Sequence, residues 1–114
     1  MLPPDERVMP HGSMIKIRGG SIYLDAETYE RYFHGLEGVI LQRREDNLLI
    51  LPVHHAAAGG YLLKIRNSAG DRVVNAMDFL GNHGLGSDTE ISTPVFWSRE
   101  NAALIASDIF NIAN

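Results

Sequence analysis

The chain has no cysteine among its 114 residues, which excludes a disulfide framework, a thiol nucleophile and a thiolate zinc site. Long apolar runs are missing as well. The uninterrupted ones extend over only a few residues, far short of the roughly 20 that a membrane-spanning helix needs. Residues 1–10 carry Asp5 and Glu6 where a signal peptide has an apolar centre, so a soluble, cytoplasmic protein with no membrane segment is expected. Basic residues are in deficit, 10 Lys and Arg against 14 Asp and Glu, and the net charge of −4 weighs against indiscriminate polyanion binding. Enzyme signatures are absent too. The run Gly81-Asn82-His83-Gly84-Leu85-Gly86 has its glycines at the first, fourth and sixth places, not in the G-x-G-x-x-G order. There is no G-x-x-x-x-G-K-[ST], no H-E-x-x-H and no G-x-S-x-G. No catalytic residue is assigned, and a non-catalytic protein is expected.

A chain of this length with 45% hydrophobic and 21% charged residues is ordinary for one globular domain. A domain so small buries only about two-thirds of its unfolded surface, which makes stabilisation by a second subunit an expectation. The charge is distributed unevenly. Between residues 13 and 75 Lys16, Arg18, Arg31, Arg43, Arg44, Lys64, Arg66 and Arg72 balance the acids, and the acidic excess lies towards the two ends. A local basic face is compatible with that distribution.

Residues 1–13, with Pro3, Pro4, Pro10 and Gly12 and no apolar period, read as a flexible leader, and residues 14–114 as a single domain. Residues 14–18 alternate apolar and basic, a half-buried strand with Lys16 and Arg18 outward, stopped by Gly19-Gly20. Ile22 and Leu24 repeat the alternation. Asp25 is an N-cap for a short helix with Tyr29, Tyr32 and Phe33 on one face and Gly35 at its end. Residues 39–41 and 48–53 form a hairpin around a polar turn. Residues 61–66 and 72–74 form a second one around Asn67-Ser68-Ala69-Gly70-Asp71. Residues 54–60 are a loop, and 76–80 one helical turn before a glycine-rich connector, 81–88. At the C-terminus Ser98 caps a helix with Ala102, Ile105, Ala106, Ile109 and Ile112 as its stripe, in preference to a third hairpin from 94–97 and 103–106. The fold expected is α+β, a small barrel or sheet rich in antiparallel hairpins with short helices.

Within residues 20–52, Gly20, Ile22, Leu24, Phe33, Gly38, Val39, Leu49, Leu51 and Pro52 resemble the strand, short helix and hairpin unit of the AbrB/SpoVT/MraZ swapped-hairpin family. The chain departs from that pattern at Asp25, where the family commonly has proline, and in Glu27 and Glu30 beside Arg31 on the helix. The resemblance implies a dimer that exchanges hairpins to close a barrel, with Lys16, Arg18, Arg43 and Arg44 as phosphate contacts to DNA.

Two further groups carry chemistry. His54 and His55 are adjacent imidazoles suited to metal binding or base catalysis. In extended chain, however, neighbours point apart, so a metal would need Asp or Glu from elsewhere. Phe96 and Trp97 are also adjacent, so on a strand one of them faces outward as an interface anchor. The expected function is a non-catalytic interaction or accessory protein that forms a homo-oligomer, most simply a dimer, and binds a protein partner without a cofactor. The alternatives are a DNA-binding regulator acting through Lys16, Arg18, Arg43 and Arg44, and a small metal-binding domain at His54 and His55.

Overall fold

The computed structural model describes residues 12–56 and 59–113. Its first strand, β1 (Ser13–Arg18), buries Ile15 and Ile17 and turns Lys16 and Arg18 to the other side, as the alternation requires. Ser13, expected to end the leader, instead opens this strand, buried opposite Val95, while residues 1–11 lie outside the described residues. Gly19 and Gly20, with φ of 60° and 82°, supply the two positive dihedrals of a two-residue hairpin turn. β2 (Ser21–Leu24) returns from it with Ile22 and Leu24 inside.

Asp25 starts helix α1 (Ala26–Tyr32) by accepting a hydrogen bond from the Thr28 N–H at 2.8 Å. Tyr29 and Phe33 are buried from this helix, and Gly35 (φ 78°) lets the chain reverse. β3 (Gly38–Arg44) and β4 (Asn47–Val53) are paired over their full lengths, as expected. The second expected hairpin forms too, but its first strand is broken at Leu63 into β5 (Tyr61–Leu62) and β6 (Lys64–Ile65), and β7 (Arg72–Asn75) pairs with β6. Helix α2 (Met77–Asn82) follows, beginning one residue later and ending two residues later than the turn expected at 76–80. Then come β8 (Glu90–Ser98), β9 (Ala103–Ala106) and a 3-10 helix (Ile109–Ala113).

All pairings are antiparallel, in the order β5-β3-β4-β9-β8-β1-β2-β7-β6. The two outermost strands are therefore consecutive in the chain, separated by Leu63 alone. The Leu63 side chain is buried, and its N–H donates to the Glu37 carbonyl at 2.8 Å. The break lets one stretch of chain leave β3 and join β7, so the sheet curls nearly into a barrel. β8 bridges its two halves, with residues 90–95 paired to β1 and 96–98 to β9. Pro94 falls in the part paired on one side only, where a strand tolerates a residue without an N–H. The interior is filled by Ile15, Ile17, Ile22, Leu24, Leu48, Ile50, Val74 and Leu104, and α1 closes over it with Tyr29 and Phe33.

The C-terminus overturns the expected helix. Ser98 does accept from a backbone N–H three residues on, that of Asn101 at 3.1 Å, but the bond closes a hairpin turn between β8 and β9. Ala102 then takes φ 51°, outside any right-handed helix. All four residues of β9 are buried. Leu104 and Ala106 face the main core, while Ala103 and Ile105 join Leu49 in a second cluster on the outer side. A strand apolar on both faces also places residues at helical spacing, and this is why the periodicity misled. Among the described residues no helix is long and apolar enough to cross a membrane.

Candidate functional site

The turn at Gly19-Gly20 fixes what the outer side of β1 and β2 presents. Lys16 lies directly opposite Tyr23, and Arg18 opposite Ser21. Tyr23 is in turn opposite Val73 on β7, and Val73 is opposite Lys64 on β6, so one outward row crosses four strands. The β6–β7 turn places Arg66 beside this row. The Arg66 N–H donates to the Asp71 carbonyl at 2.8 Å, and the Asn67 side chain accepts from the N–H groups of Ala69 and Asp71.

The result is a groove of about 260 Å3 whose walls include Lys16, Arg18, Tyr23, Asp25, Arg66 and Asp71. The guanidinium of Arg66 lies over the Tyr23 ring, 4.8 Å from its centroid, and that of Arg18 lies 5.2 Å from it. A cation over an exposed aromatic ring gains about 0.5–1 kcal/mol, enough to restrict a flexible arginine without fixing it. Among the described residues neither guanidinium forms an ion pair, whereas Lys16 is 3.9 Å from Glu90. The two carboxylates are engaged elsewhere. Asp25 accepts from Thr28, and Asp71 accepts from the Ala26 N–H at 2.8 Å and from the Asn67 amide at 3.0 Å.

The Asn67 amide first, then the Ala26 N–H, hold the Asp71 carboxyl below its ordinary value, and the Arg66 charge acts in the same direction. A lowered pKa in the folded state means that Asp71 stabilises the fold fully above the ordinary value of 3.8, and that this contribution is lost as pH falls through the lower folded value. Asp71→Asn is therefore expected to be less stable than the parent chain near neutral pH. The gap in denaturation midpoint should narrow once pH drops below 3.8; a gap that stays constant there removes the carboxylate charge from this account.

The four cations singled out from the sequence separate into two pairs. Lys16 and Arg18 are on β1; Arg43 and Arg44 are on β3, with β8, β9 and β4 between on one side and β2, β7, β6 and β5 on the other. Arg43 is opposite Leu48 and thus on the inward side at the end of the barrel. Its guanidinium lies over Phe110 and bonds Asp46 at 3.0 Å. Arg44 bonds the Asn101 side chain at 2.7 Å. The structure adds Arg66, Tyr23 and Lys64 to the β1 pair, because β2 and β7 are neighbours though some fifty residues apart in sequence, a pairing that no local pattern announces.

His54 and His55 are exposed, their ring centroids 6.4 Å apart, and His55 Nδ1 is 3.9 Å from Glu37. Among the described residues no group of three or more His, Asp or Glu side chains is gathered as for a metal ion. Of the aromatic pair, Phe96 is the outward residue, 43% exposed, and Trp97 packs parallel to Tyr32 at 5.4 Å. No protein-family model, curated protein or solved structure matches the chain.

Proposed function

We propose that this chain is a non-catalytic binding domain that takes an anionic partner on the outer face of β1 and β2. The observation that carries the reading is the pair of guanidiniums, Arg18 and Arg66, stacked over Tyr23 with no carboxylate bound to either among the described residues. Stacking on the ring leaves the N–H edges of a guanidinium free to grip an oxyanion, and an arginine already held over a surface loses less rotamer freedom on binding. Asp25 and Asp71 accept from backbone N–H groups at the start of α1 and so brace the groove, and their two charges leave Lys16, Arg18 and Arg66 one positive charge in excess among its walls.

This reading redraws the cationic set of the DNA-binding alternative. Lys16 and Arg18 remain, Arg66 joins them, and Arg43 and Arg44 belong to another side of the barrel, tied to Asp46 and Asn101. The test is titration with inorganic tripolyphosphate followed by calorimetry. Parent protein is expected to bind with an affinity that falls as salt rises, and the double variant Arg18→Ala/Arg66→Ala to lose at least tenfold, given the strength of charge-assisted bonds. Equal heats from both chains would remove the groove as the site.

A homo-oligomer is also proposed, with Phe96 as its anchor. Phe96 and Pro94 are exposed on the outer side of β8, and Met14, 47% exposed, lies directly opposite Pro94. On a sizing column the parent chain is expected to run as a dimer and Phe96→Glu as a monomer; a monomeric parent rejects this part of the reading.

A further inference from the structure

We infer that the anionic partner of the β1–β2 groove is a single-stranded nucleic acid, an inference that rests on the anion-binding reading above. The argument begins with the outward row. Ser92, Lys16, Tyr23, Val73 and Lys64 are directly opposite one another in turn across β8, β1, β2, β7 and β6. With strands about 4.8 Å apart, Lys16 and Lys64 are roughly 14 Å apart along this line, and the tyrosine lies between them. Arg18 and Arg66 flank the same ring. Cations are thus spaced along a track that has an aromatic ring at its middle, whereas a site for one free phosphate would gather them at a point.

Each ligand class uses that track differently. A bare polyphosphate or an acidic peptide engages the cations and uses Tyr23 only as the support over which Arg18 and Arg66 lie. A duplex keeps its bases stacked inside, so the ring again meets only backbone. An unpaired strand offers both phosphates and open base faces, the two features that sequence-tolerant single-strand sites combine as a basic groove and aromatic platforms. When Arg18, the more distant guanidinium at 5.2 Å, moves from ring to phosphate while Arg66 stays, the ring face it leaves is released to a base. Base–aromatic stacking, about 1–3 kcal/mol, is stronger than the one exposed cation–ring contact given up, about 0.5–1 kcal/mol, so the exchange favours the bound state. The net charge of −4 is consistent with a confined track rather than a uniformly basic surface.

The track has four cations, Lys16, Arg18, Arg66 and Lys64. Glu90 competes for Lys16 at 3.9 Å, and Asp25 and Asp71 stand in the groove walls, so about two to three phosphates are neutralised. At roughly −0.7 per phosphate for a single strand, log K is expected to fall with log salt at a slope of about −1.5 to −2. The experiment is a fluorescence anisotropy titration of the full chain with a labelled oligothymidylate, alongside the duplex of equal length, poly-glutamate and tripolyphosphate. The oligothymidylate is expected to bind most tightly and with that slope. Tyr23→Leu, a strand-compatible change at an outward position, should weaken the oligothymidylate about tenfold to a hundredfold and tripolyphosphate by no more than about fivefold, the worth of the ring as a support for Arg18 and Arg66. Tyr23→Phe should retain parental affinity, because the ring and not the hydroxyl does the stacking. Circular dichroism of both variants checks that each is folded. If tripolyphosphate binds and the oligothymidylate does no better, or Tyr23→Leu weakens both alike, the inference fails while the anion site stands. Tighter binding of duplex or poly-glutamate overturns it in favour of that ligand. No binding of any polyanion removes both proposals together.

Discussion

Phe33→Ala is expected to lower the stability of the domain by about 3–5 kcal/mol, the usual cost of emptying a buried aromatic site. The phenyl ring is fully buried, and it sits where α1 ends, its N–H donating to the Tyr29 carbonyl at 2.7 Å. That short helix carries the lid of the barrel, so no neighbouring segment is free to collapse into the space. Small domains have a total stability of about 5–15 kcal/mol, which makes this one side chain about three-fifths or more of it at the lower end. At roughly 4 °C per kcal/mol for a chain of this size, the thermal midpoint should fall by about 12–20 °C. Leu62→Ala is the control, since its side chain is 56% exposed, and it should cost under about 1 kcal/mol. Urea titrations of the two variants decide the matter, and comparable losses would mean that the barrel interior and its outer face have been assigned the wrong way round.

The same contrast explains what was legible in the sequence. β1, β2, the Asp25 cap and the β3–β4 hairpin were readable because each is decided within a few residues: alternation sets the face, an N-cap carboxylate sets the helix start, and two positive-φ glycines set the turn. Parity carried Lys16 and Arg18 correctly to the outer side. The same parity puts Arg43 opposite Leu48 and turns it inward onto Phe110. The C-terminal strand differs from the expected helix because Ala103–Ala106 is buried on both faces, by the main core on one and beside Leu49 and Leu51 of β4 on the other, a condition that nothing within the strand itself announces.

The candidate site lay beyond local reading for a related reason. Tyr23 and Arg66 meet only because β2 pairs with β7, whose other neighbour, β6, leads directly into Arg66. In the unit of residues 20–52, β2 is flanked by β1 and β7, β3 by β4 and β5, and β4 also by β9. Its β2 strand contributes the aromatic centre of the groove, and its β3 arginines lie away from it.

Gly20→Val is the other substitution expected to be severe, with a loss of about 3 kcal/mol or more. Two costs coincide at this position. The φ of 82° lies in the left-handed region, which costs an ordinary side chain roughly 1–2 kcal/mol and a β-branched one more. A Cβ would also stand 2.9 Å from the Met77 Cβ and 3.1 Å from the Met77 Cα, at the first turn of α2. Overpacking of that kind adds about 1–3 kcal/mol. The neighbour cannot simply retreat, because the Ala76 N–H donates to the Gly20 carbonyl at 2.9 Å and so ties the start of α2 to this turn. Gly19 separates the two costs. Its φ is 60°, and a Cβ there would meet nothing within 4 Å. Asparagine tolerates the left-handed region, so Gly19→Asn is expected to change stability by less than about 1 kcal/mol. Gly20→Asn, with the same backbone allowance but the Met77 contact, should fall between Gly19→Asn and Gly20→Val. That ordering of denaturation midpoints is the measurement, and equal values for the two asparagine variants would show that α2 does not press on the turn. The consequence reaches the groove as well. This turn sets Lys16 opposite Tyr23, so Gly20→Val should weaken tripolyphosphate binding even where the chain stays folded, whereas Gly19→Asn should leave it intact.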